Sequence, residues 1–155
     1  MFSFKKKNKD LKILATQDGT IVSIDNVPDD VFSQKMLGDG LAVIPESNEV
    51  YSPVDGTIVQ VTDTLHAYAI HSDNGLDVLV HIGINTVELK GEGFKAMVKE
   101  GDHVKAGDIL AVADLDFIKS KGYELYTPTV ITNMDMIKSF SVNIGKAKAG
   151  TSVAA

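Results

Sequence analysis

Short runs rich in valine and isoleucine alternate with glycine-containing turn pairs along most of this 155-residue chain. Asp-Gly and Asn-Gly pairs favour the tight turns of β-hairpins, because these residues tolerate the positive φ angles that such turns require. The turn pairs are Asp18-Gly19, Asp39-Gly40, Asp55-Gly56, Asn74-Gly75 and Gly107-Asp108. The runs are residues 19–24, 40–45, 56–61, 66–70, 76–82, 109–113 and 129–132. Such regular spacing predicts an all-β fold, a sandwich or barrel of short antiparallel strands.

Helical stretches are few and short in this pattern. We predict them at residues 29–35, 94–99, 114–121 and 134–137. No internal linker separates the runs, so one domain is expected at residues 11–145, between a flexible N-terminal tail, 1–10, and a loose C-terminal tail, 146–155. The start at Met1 and the charged tail that follows it favour a free-standing protein over a piece of a longer chain.

Charge and cysteine content narrow the function classes. The formal net charge of −6 at pH 7 argues against a general nucleic-acid binder, which needs a basic surface. No apolar run approaches the roughly 18 residues of a transmembrane helix, and lysines stand where a signal peptide has its apolar segment. Without cysteine the chain forms neither disulfides nor a thiolate metal site. We therefore expect a cytoplasmic protein with no nucleic-acid partner and no stable membrane insertion.

One predicted hairpin, residues 64–83, brings two histidines together. Its turn is Ser72-Asp73-Asn74-Gly75. If Asp73 and Asn74 are the central turn residues, His66 lies directly opposite His81. If Asn74 and Gly75 are central, the two histidines are diagonal neighbours, and in both registers they share a face of the sheet. His71 has the other parity in these registers and is expected on the opposite face.

Four interpretations of the histidine pair compete. A histidine within an apolar strand is most often a core residue bonded to a neighbour, but two converging rings make that interpretation weaker. A catalytic zinc needs three protein ligands, and neither an HxH nor an HExxH motif is present. Acid–base catalysis by the pair and covalent catalysis with one ring as the nucleophile both remain open on the residues alone.

A long segment around the second histidine carries a family resemblance. It reads LVHIGINTVELKGEGF, residues 79–94, and five flanking segments accompany it in order: VPDDVFSQKMLGDGLAV (27–43), SPVDGTIVQV (52–61), HAYAI (66–70), EGDHVKAGD (100–108) and TPTVITNMD (127–135). Together they resemble the glucose-type enzyme IIA proteins of the bacterial phosphoenolpyruvate-dependent sugar phosphotransferase system. The resemblance covers nearly the whole chain outside the tails.

This resemblance implies a fold and a function. Members of the family are antiparallel β-sandwiches that accept a phosphoryl group from the phosphocarrier protein HPr and pass it to a sugar-specific enzyme IIB domain of the permease. Their phosphorylated histidine, which uses Nε2, matches His81, and their supporting histidine matches His66. Thr64 matches the threonine that orients this second ring. A backbone carbonyl within residues 81–83 is expected to accept from the other nitrogen of His81. Neither a cofactor nor a metal is expected, and some relatives also bind regulatory protein targets.

The resemblance also implies a docking rim. Val31 and Phe32 match apolar residues around the site, and Leu79 shares the face of His81 by parity. Asp29 and Asp135 match two of the acidic residues that meet basic residues of HPr. The chain departs from the family at two rim positions, with His71 where a glutamate is common and Asn85 where an aspartate is found. A less negative rim follows, and with it an open question about which partner docks.

Two other classes of protein share parts of the pattern. Biotinyl and lipoyl carrier domains have similar glycine-bounded hairpins, but they need a lysine at the hairpin tip, where this chain has SDNG. Zinc peptidases on related sandwiches need the missing HxH. The sequence therefore favours the phosphoryl carrier. His103, in the turn EGDHVKAGD, is interpreted as a solvent-facing turn residue.

Overall fold

The computed structural model describes residues 11–150, and strands dominate it. Eleven strands are described: β1 (Gly19–Ser23), β2 (Asp39–Pro45), β3 (Glu49–Tyr51), β4 (Gly56–Val61), β5 (Ala67–Ser72), β6 (Asp77–His81), β7 (Phe94–Ala96), β8 (His103–Val104), β9 (Ile109–Ala113), β10 (Thr127–Ile131) and β11 (Gly145–Ala147). The helices are α1 (Asp30–Ser33), α2 (Leu115–Ser120) and three 3-10 turns at Ile24–Asn26, Thr86–Leu89 and Met134–Met136. No helix within the described range is long and apolar enough to cross a bilayer.

Two sheets form a sandwich in which every described strand pair is antiparallel. The larger sheet has the order β11-β1-β2-β10-β6-β5-β4-β8, and the smaller has the order β3-β9-β7. This confirms the predicted antiparallel β-sandwich with a few short helical turns. Strand β6, which ends at His81, lies inside the larger sheet between β10 and β5.

Apolar side chains form two separate clusters. The main cluster joins the two sheets and includes Tyr68 and Val80 of the larger sheet with Val50 and Leu110 of the smaller one. The second cluster includes Ile24, Phe32, Ala42, Ile84 and Val130, with Leu79 packed against it. Because side chains alternate along β6, Val80 points into the sandwich, whereas Leu79 and His81 point to the other face. The second cluster therefore covers the face of the larger sheet on which His81 lies.

The β5–β6 hairpin has a register that neither sequence prediction gave. Ala67 pairs with His81, and His71 pairs with Asp77. The cause is a three-residue loop: Ser72 N–H donates to the Leu76 carbonyl at 2.8 Å, and Gly75, with φ +94°, completes the turn. The prediction that His71 faces away from His81 is wrong, since in this register both lie on the same face of the sheet.

One predicted helix is a strand. Residues 94–99 were expected to be helical, but Phe94–Ala96 is β7, in which Phe94 pairs with Ala113 of β9. Pairing with β9 continues beyond the strand, because Met97 N–H donates to the Leu110 carbonyl at 2.8 Å. Tertiary pairing thus overrides the local preference of a short segment.

Regular structure continues past residue 145, where the sequence predicted that a loose C-terminal tail begins. Lys146 and Ala147 belong to β11, which pairs with β1 at the edge of the larger sheet. Gly150 N–H donates to the Ala15 carbonyl at 2.9 Å. Residues 146–150 are therefore attached to the sandwich, while residues 1–10 and 151–155 of the predicted tails lie outside the described range.

Candidate functional site

His81 is the last residue of β6 and contacts two other rings. The His66 ring meets it edge to face, with centroids 4.7 Å apart and planes at 80°, and the Phe32 ring lies 5.0 Å away at 61°. The cross-strand partner is Ala67, whose small side chain leaves room for this arrangement. Ile82 N–H donates to the His66 carbonyl at 2.7 Å, so Ala67 and His81 are a non-hydrogen-bonded pair, the closer of the two kinds.

A backbone carbonyl fixes which nitrogen of His81 carries the proton. The Nδ1 atom lies 2.8 Å from the Gly83 carbonyl oxygen, which can only accept, so Nδ1 is the N–H and donates. This is the acceptor predicted within residues 81–83. Among residues 11–150 the structure gives Nε2 of His81 no hydrogen-bond partner, and its lone pair is available to an electrophile.

The loop that supplies this carbonyl is held at several points. Gly83 has φ +79°, and a Cβ there would lie 2.5 Å from Cγ2 of Thr86, so the position requires glycine. Gly83 N–H donates to the Tyr126 carbonyl at 2.9 Å. The Thr86 hydroxyl donates to the Ile82 carbonyl at 2.5 Å. The orientation of the His81 ring therefore depends on a rigid loop, and Tyr126 and Thr86 are supporting residues that sequence reasoning missed.

His66 reaches His81 because the chain turns sharply before β5. In the observed ladder His66 would stand opposite Ile82, on the wrong face for contact with His81, but it precedes the strand. Leu65, with φ +62°, interrupts the extended backbone, and its N–H donates to the Thr62 carbonyl at 2.8 Å. The shared face predicted for the two histidines is thus present, although the cause is this turn and not the predicted registers.

Two hydroxyls lie beside Nδ1 of the His66 ring. Thr64 Oγ1 is 2.7 Å from this nitrogen, and Thr62 Oγ1 is 3.4 Å from it. The sequence analysis named Thr64 but missed Thr62. Thr62 stands four residues before His66, and it reaches the ring because the chain turns at Leu65, for which the sequence carries no signal.

Burial keeps both rings neutral at pH 7. Burial has the largest effect on the His81 pKa, and together with the neighbouring His66 it lowers this pKa from 6.5 to about 4. The Gly83 hydrogen bond and the charge of Asp29 act in the opposite direction on the His81 pKa, and they are smaller. Burial also lowers the pKa of His66, whose side chain is almost inaccessible. A neutral imidazole is the nucleophilic form, so the site supplies one at physiological pH.

The predicted rim residues divide into three groups. Phe32 is buried against His81, Leu79 is half-buried in the second cluster, and Val31 is exposed beside them. Asp29 caps α1 by accepting from Val31 N–H at 2.9 Å, and it lies near enough to His81 to affect its pKa. Asp135 is exposed in the 3-10 turn Met134–Met136, and no hydrogen bond or ion pair joins it to either histidine within the described chain.

The positions that depart from the family resemblance are both exposed. His71 Nδ1 lies 2.6 Å from a carboxylate oxygen of Asp77, across the β5–β6 pair. Asn85, with φ +61°, caps the 3-10 turn Thr86–Leu89 without a side-chain hydrogen bond to it. His103 begins β8 instead of lying in a turn, and its Nε2 contacts Asp73 at 3.1 Å. None of the three touches the histidine pair.

The histidine pair lies outside two concave surfaces of the molecule and, in residues 11–150, outside any cluster of three potential metal ligands. In residues 11–150 no group of three or more histidine, aspartate or glutamate side chains is placed to hold a metal ion. Concave surfaces of about 380 and 340 Å³ occur around His103 and around Lys146, and neither includes His66 or His81. Two neighbouring rings, one buried and one half-buried, can together hold a small group such as a phosphoryl at the Nε2 atom of His81, which has no hydrogen-bond partner in residues 11–150.

Known proteins match the chain in sequence and in structure. The family model for the phosphoenolpyruvate-dependent sugar phosphotransferase system, EIIA 1, matches residues 11–137. The PTS system glucose-specific EIIA component of Buchnera aphidicola (subspecies Acyrthosiphon pisum) is 43% identical over 152 residues, covering 98% of this chain and 94% of that protein. The protein of the same name from Haemophilus influenzae is 45% identical over 151 residues, covering 97% and 91%.

A solved structure gives the same result for the fold. The glucose permease IIA from Mycoplasma capricolum superimposes with a TM-score of 0.90 and 41% sequence identity, covering 99% of this chain and 98% of that one. The family model spans most of the chain, and the relatives are matched over nearly their full lengths. The chain therefore belongs to the EIIA 1 family of the phosphoenolpyruvate-dependent sugar phosphotransferase system.

Proposed function

We propose that His81 accepts a phosphoryl group from phospho-HPr and passes it to a sugar-specific enzyme IIB domain. As a member of its family the chain is a phosphotransferase component of a sugar phosphotransferase system. The observation that carries the assignment to His81 is the 2.8 Å bond from its Nδ1 to the Gly83 carbonyl, which leaves Nε2 as the nucleophile. A ring whose pKa is about 4 is neutral at pH 7 and has its lone pair available.

The transfer step needs no proton movement. The Nε2 lone pair of His81 forms a bond to phosphorus while the bond between phosphorus and the HPr histidine breaks, and that electron pair returns to the HPr nitrogen. Nδ1 of His81 keeps its proton because the Gly83 carbonyl accepts it. The resulting ring is positively charged beside a negatively charged phosphoryl group. Onward transfer repeats the exchange, with a nucleophile of the IIB domain in the place of His81.

His66 is proposed to stabilise the phosphoryl group. Its Nδ1 lies 2.7 Å from the Thr64 hydroxyl, which donates to it when His66 is neutral with its proton on Nε2. Nε2–H is then directed away from Thr64 and can donate to a phosphoryl oxygen. The two ring centroids are 4.7 Å apart, so a phosphoryl group on His81 would lie within reach of this donor. Phosphoryl transfer depends mainly on such positioning and charge stabilisation.

The surface around the site is proposed to receive both partner proteins. Phe32, Leu79 and Val31 form an apolar surround that excludes water from a labile phosphorus–nitrogen bond. Asp29 and Asp135 add negative charge suited to basic residues of HPr. A surface whose charge changes on phosphorylation also suits regulatory protein targets, to which no residue is assigned. We place the protein in the cytoplasm, in keeping with the absence of an apolar run long enough to span a membrane.

Reconstitution with phosphoenolpyruvate, enzyme I and HPr tests this function. The wild-type chain is expected to incorporate one acid-labile phosphate that maps to His81, and His81→Ala is expected to incorporate none. His103→Ala is the control, since this ring is exposed, lies outside the pair and belongs to β8 at the edge of the larger sheet. Full incorporation into His81→Ala, or none into wild type, would falsify the proposal.

A further inference from the structure

The turn that directs His66 toward His81 is closed by the side chain of Thr62. We propose that Thr62 is a second positioning residue for His66, beside Thr64: its hydroxyl holds the turn that brings Nδ1 of His66 to the Thr64 hydroxyl, and in this way it helps to keep the His66 proton on Nε2. The inference rests on the proposed function only for its kinetic consequence, because the geometry and the tautomer belong to the free protein.

At the end of the β4–β5 ladder, the Thr62 hydroxyl accepts the hydrogen bond that the Thr62 carbonyl would otherwise accept. At the end of a hairpin the last residue pair normally exchanges two backbone hydrogen bonds. Thr62 N–H donates to the Ala67 carbonyl at 3.1 Å, but the Thr62 carbonyl is already occupied by Leu65 N–H at 2.8 Å. Ala67 N–H donates instead to Thr62 Oγ1 at 3.1 Å. A residue without a hydroxyl here would leave this N–H without its acceptor.

The hydrogen bond from Leu65 N–H to the Thr62 carbonyl closes the sharp turn before His66. This bond holds Leu65 at φ +62°, a conformation that a bulky side chain rarely adopts. Leu65 directly precedes His66, so this backbone angle sets the direction of the histidine. Thr62 therefore stabilises the turn twice, once through its carbonyl and once through its hydroxyl.

The same hydroxyl lies close to the ring that the turn directs. Thr62 Oγ1 is 3.4 Å from His66 Nδ1, and Thr64 Oγ1 is 2.7 Å from the same atom. The Thr64 hydroxyl can donate to the single lone pair of an unprotonated Nδ1, which favours the tautomer with the proton on Nε2, while the Thr62 hydroxyl also lies 3.4 Å from the Ala67 carbonyl, to which it donates. That tautomer is the one that can donate to a phosphoryl oxygen. Thr64 supplies the short bond, and Thr62 limits the rotation of the ring and fixes its backbone.

Three variants separate the hydroxyl from the shape of the side chain. Thr62→Val keeps the branched shape and removes the hydroxyl, and Thr62→Ser keeps the hydroxyl and removes a methyl group. Thr20→Val is the control for a threonine in β1, well separated in the sheet order from β5. The readouts are the ¹⁵N chemical shifts of the His66 ring in the unphosphorylated protein, the rate of phosphoryl acceptance from HPr, and the rate of onward transfer to IIB.

Thr62→Val is expected to shift the His66 ring from the Nε2–H tautomer to a mixture, and to slow onward transfer by about two- to tenfold, the effect of losing one neutral hydrogen bond. Thr62→Ser and Thr20→Val should match wild type in tautomer and in rate. Wild-type nitrogen shifts in Thr62→Val, or equal losses in Thr62→Val and Thr62→Ser, would overturn the assignment to the hydroxyl.

A measurement on the wild-type protein covers the case in which Thr62→Val does not fold. The Ala67 amide should exchange its hydrogen as slowly as amides inside β5, because it is bonded to Thr62 Oγ1. Exchange as fast as that of a solvent-exposed loop amide would show that this bond is not formed and would overturn the inference. A wild-type chain that accepts no phosphate would contradict the proposed function, while the tautomer and exchange results would still decide the role of Thr62.

Discussion

The rings of His66 and His81 meet edge to face with centroids 4.7 Å apart, although the hairpin register pairs His81 with Ala67. The contact exists because Leu65 turns the chain just before β5 begins. The direction of the His66 side chain is thus set by one short turn, whereas strand pairing sets that of His81. Substitutions can therefore affect the two rings independently.

His66→Gln should separate acceptance of the phosphoryl group from its onward transfer. Glutamine can still donate a hydrogen bond, so the variant should accept phosphate from HPr at close to the wild-type level. Its amide lacks the ring geometry set by Thr64, so transfer to IIB should slow by about tenfold or more. Rapid-quench assays of each half-reaction measure the two rates. Normal onward transfer would show that His66 has only a structural role.

The lowered pKa of His81 predicts acid sensitivity of folding. The folded protein binds a proton on His81 only near pH 4, whereas the unfolded chain binds it near 6.5. The unfolding free energy contributed by this group is therefore present above pH 6.5 and decreases as the pH falls toward 4, by at most about 1.4 kcal/mol per pH unit. In urea unfolding at several pH values, the unfolding free energy of His81→Gln should fall less than that of wild type as the pH decreases from 6.5 to 4. An NMR titration midpoint near 6.5 for His81 would contradict the prediction.

Gly83→Ala should reduce both stability and phosphoryl acceptance. The φ angle of +79° and the overlap of a new Cβ with Cγ2 of Thr86 together should cost about 1–3 kcal/mol of unfolding free energy. Movement of the Gly83 carbonyl would also release Nδ1 of His81. Adding Thr86→Ser removes the overlapping methyl group and keeps the hydroxyl, so the double variant should recover part of the loss. No recovery would show that the backbone angle alone is responsible.

Asp29 offers a matched pair of variants that separates its charge from its cap. Asp29→Asn keeps a good N-cap for α1 and removes the charge that raises the His81 pKa. Stability should stay close to wild type while the His81 pKa falls further and association with HPr slows, most clearly at low salt. Asp29→Ala should in addition lose about 1 kcal/mol of stability. A raised His81 pKa in Asp29→Asn, measured by NMR, would contradict the electrostatic account.

The sequence predicted the sandwich for identifiable reasons. Turn pairs such as Asp55-Gly56 and Asn74-Gly75 mark hairpins whatever lies around them. The helix starts were also readable, because Asp29 and Asp114 cap α1 and α2 with their side chains. The type of turn could not be predicted, because the sequence Ser72–Gly75 is compatible with several loops. The three-residue loop that forms shifts the register by one residue from the predicted ones, and this shift places His71 on the other face of the sheet.

Contacts between distant segments account for the other differences. Residues 94–99 have no strong local preference for a strand, and β7 exists because β9 supplies its hydrogen bonds. Likewise, the role of Thr62 depends on its carbonyl being used by Leu65, which no spacing rule reveals. The Tyr126 carbonyl that holds Gly83 comes from far along the chain and has no sequence signal.

The bond from Nδ1 of His81 to the Gly83 carbonyl has a kinetic consequence for the proposed carrier. With one nitrogen held inside the protein, a single atom serves both the incoming and the outgoing phosphoryl group. Donor and acceptor proteins must therefore visit the same face in turn, and no ternary complex can be productive. Steady-state kinetics should be ping-pong, and unphosphorylated HPr in excess should compete with the IIB domain.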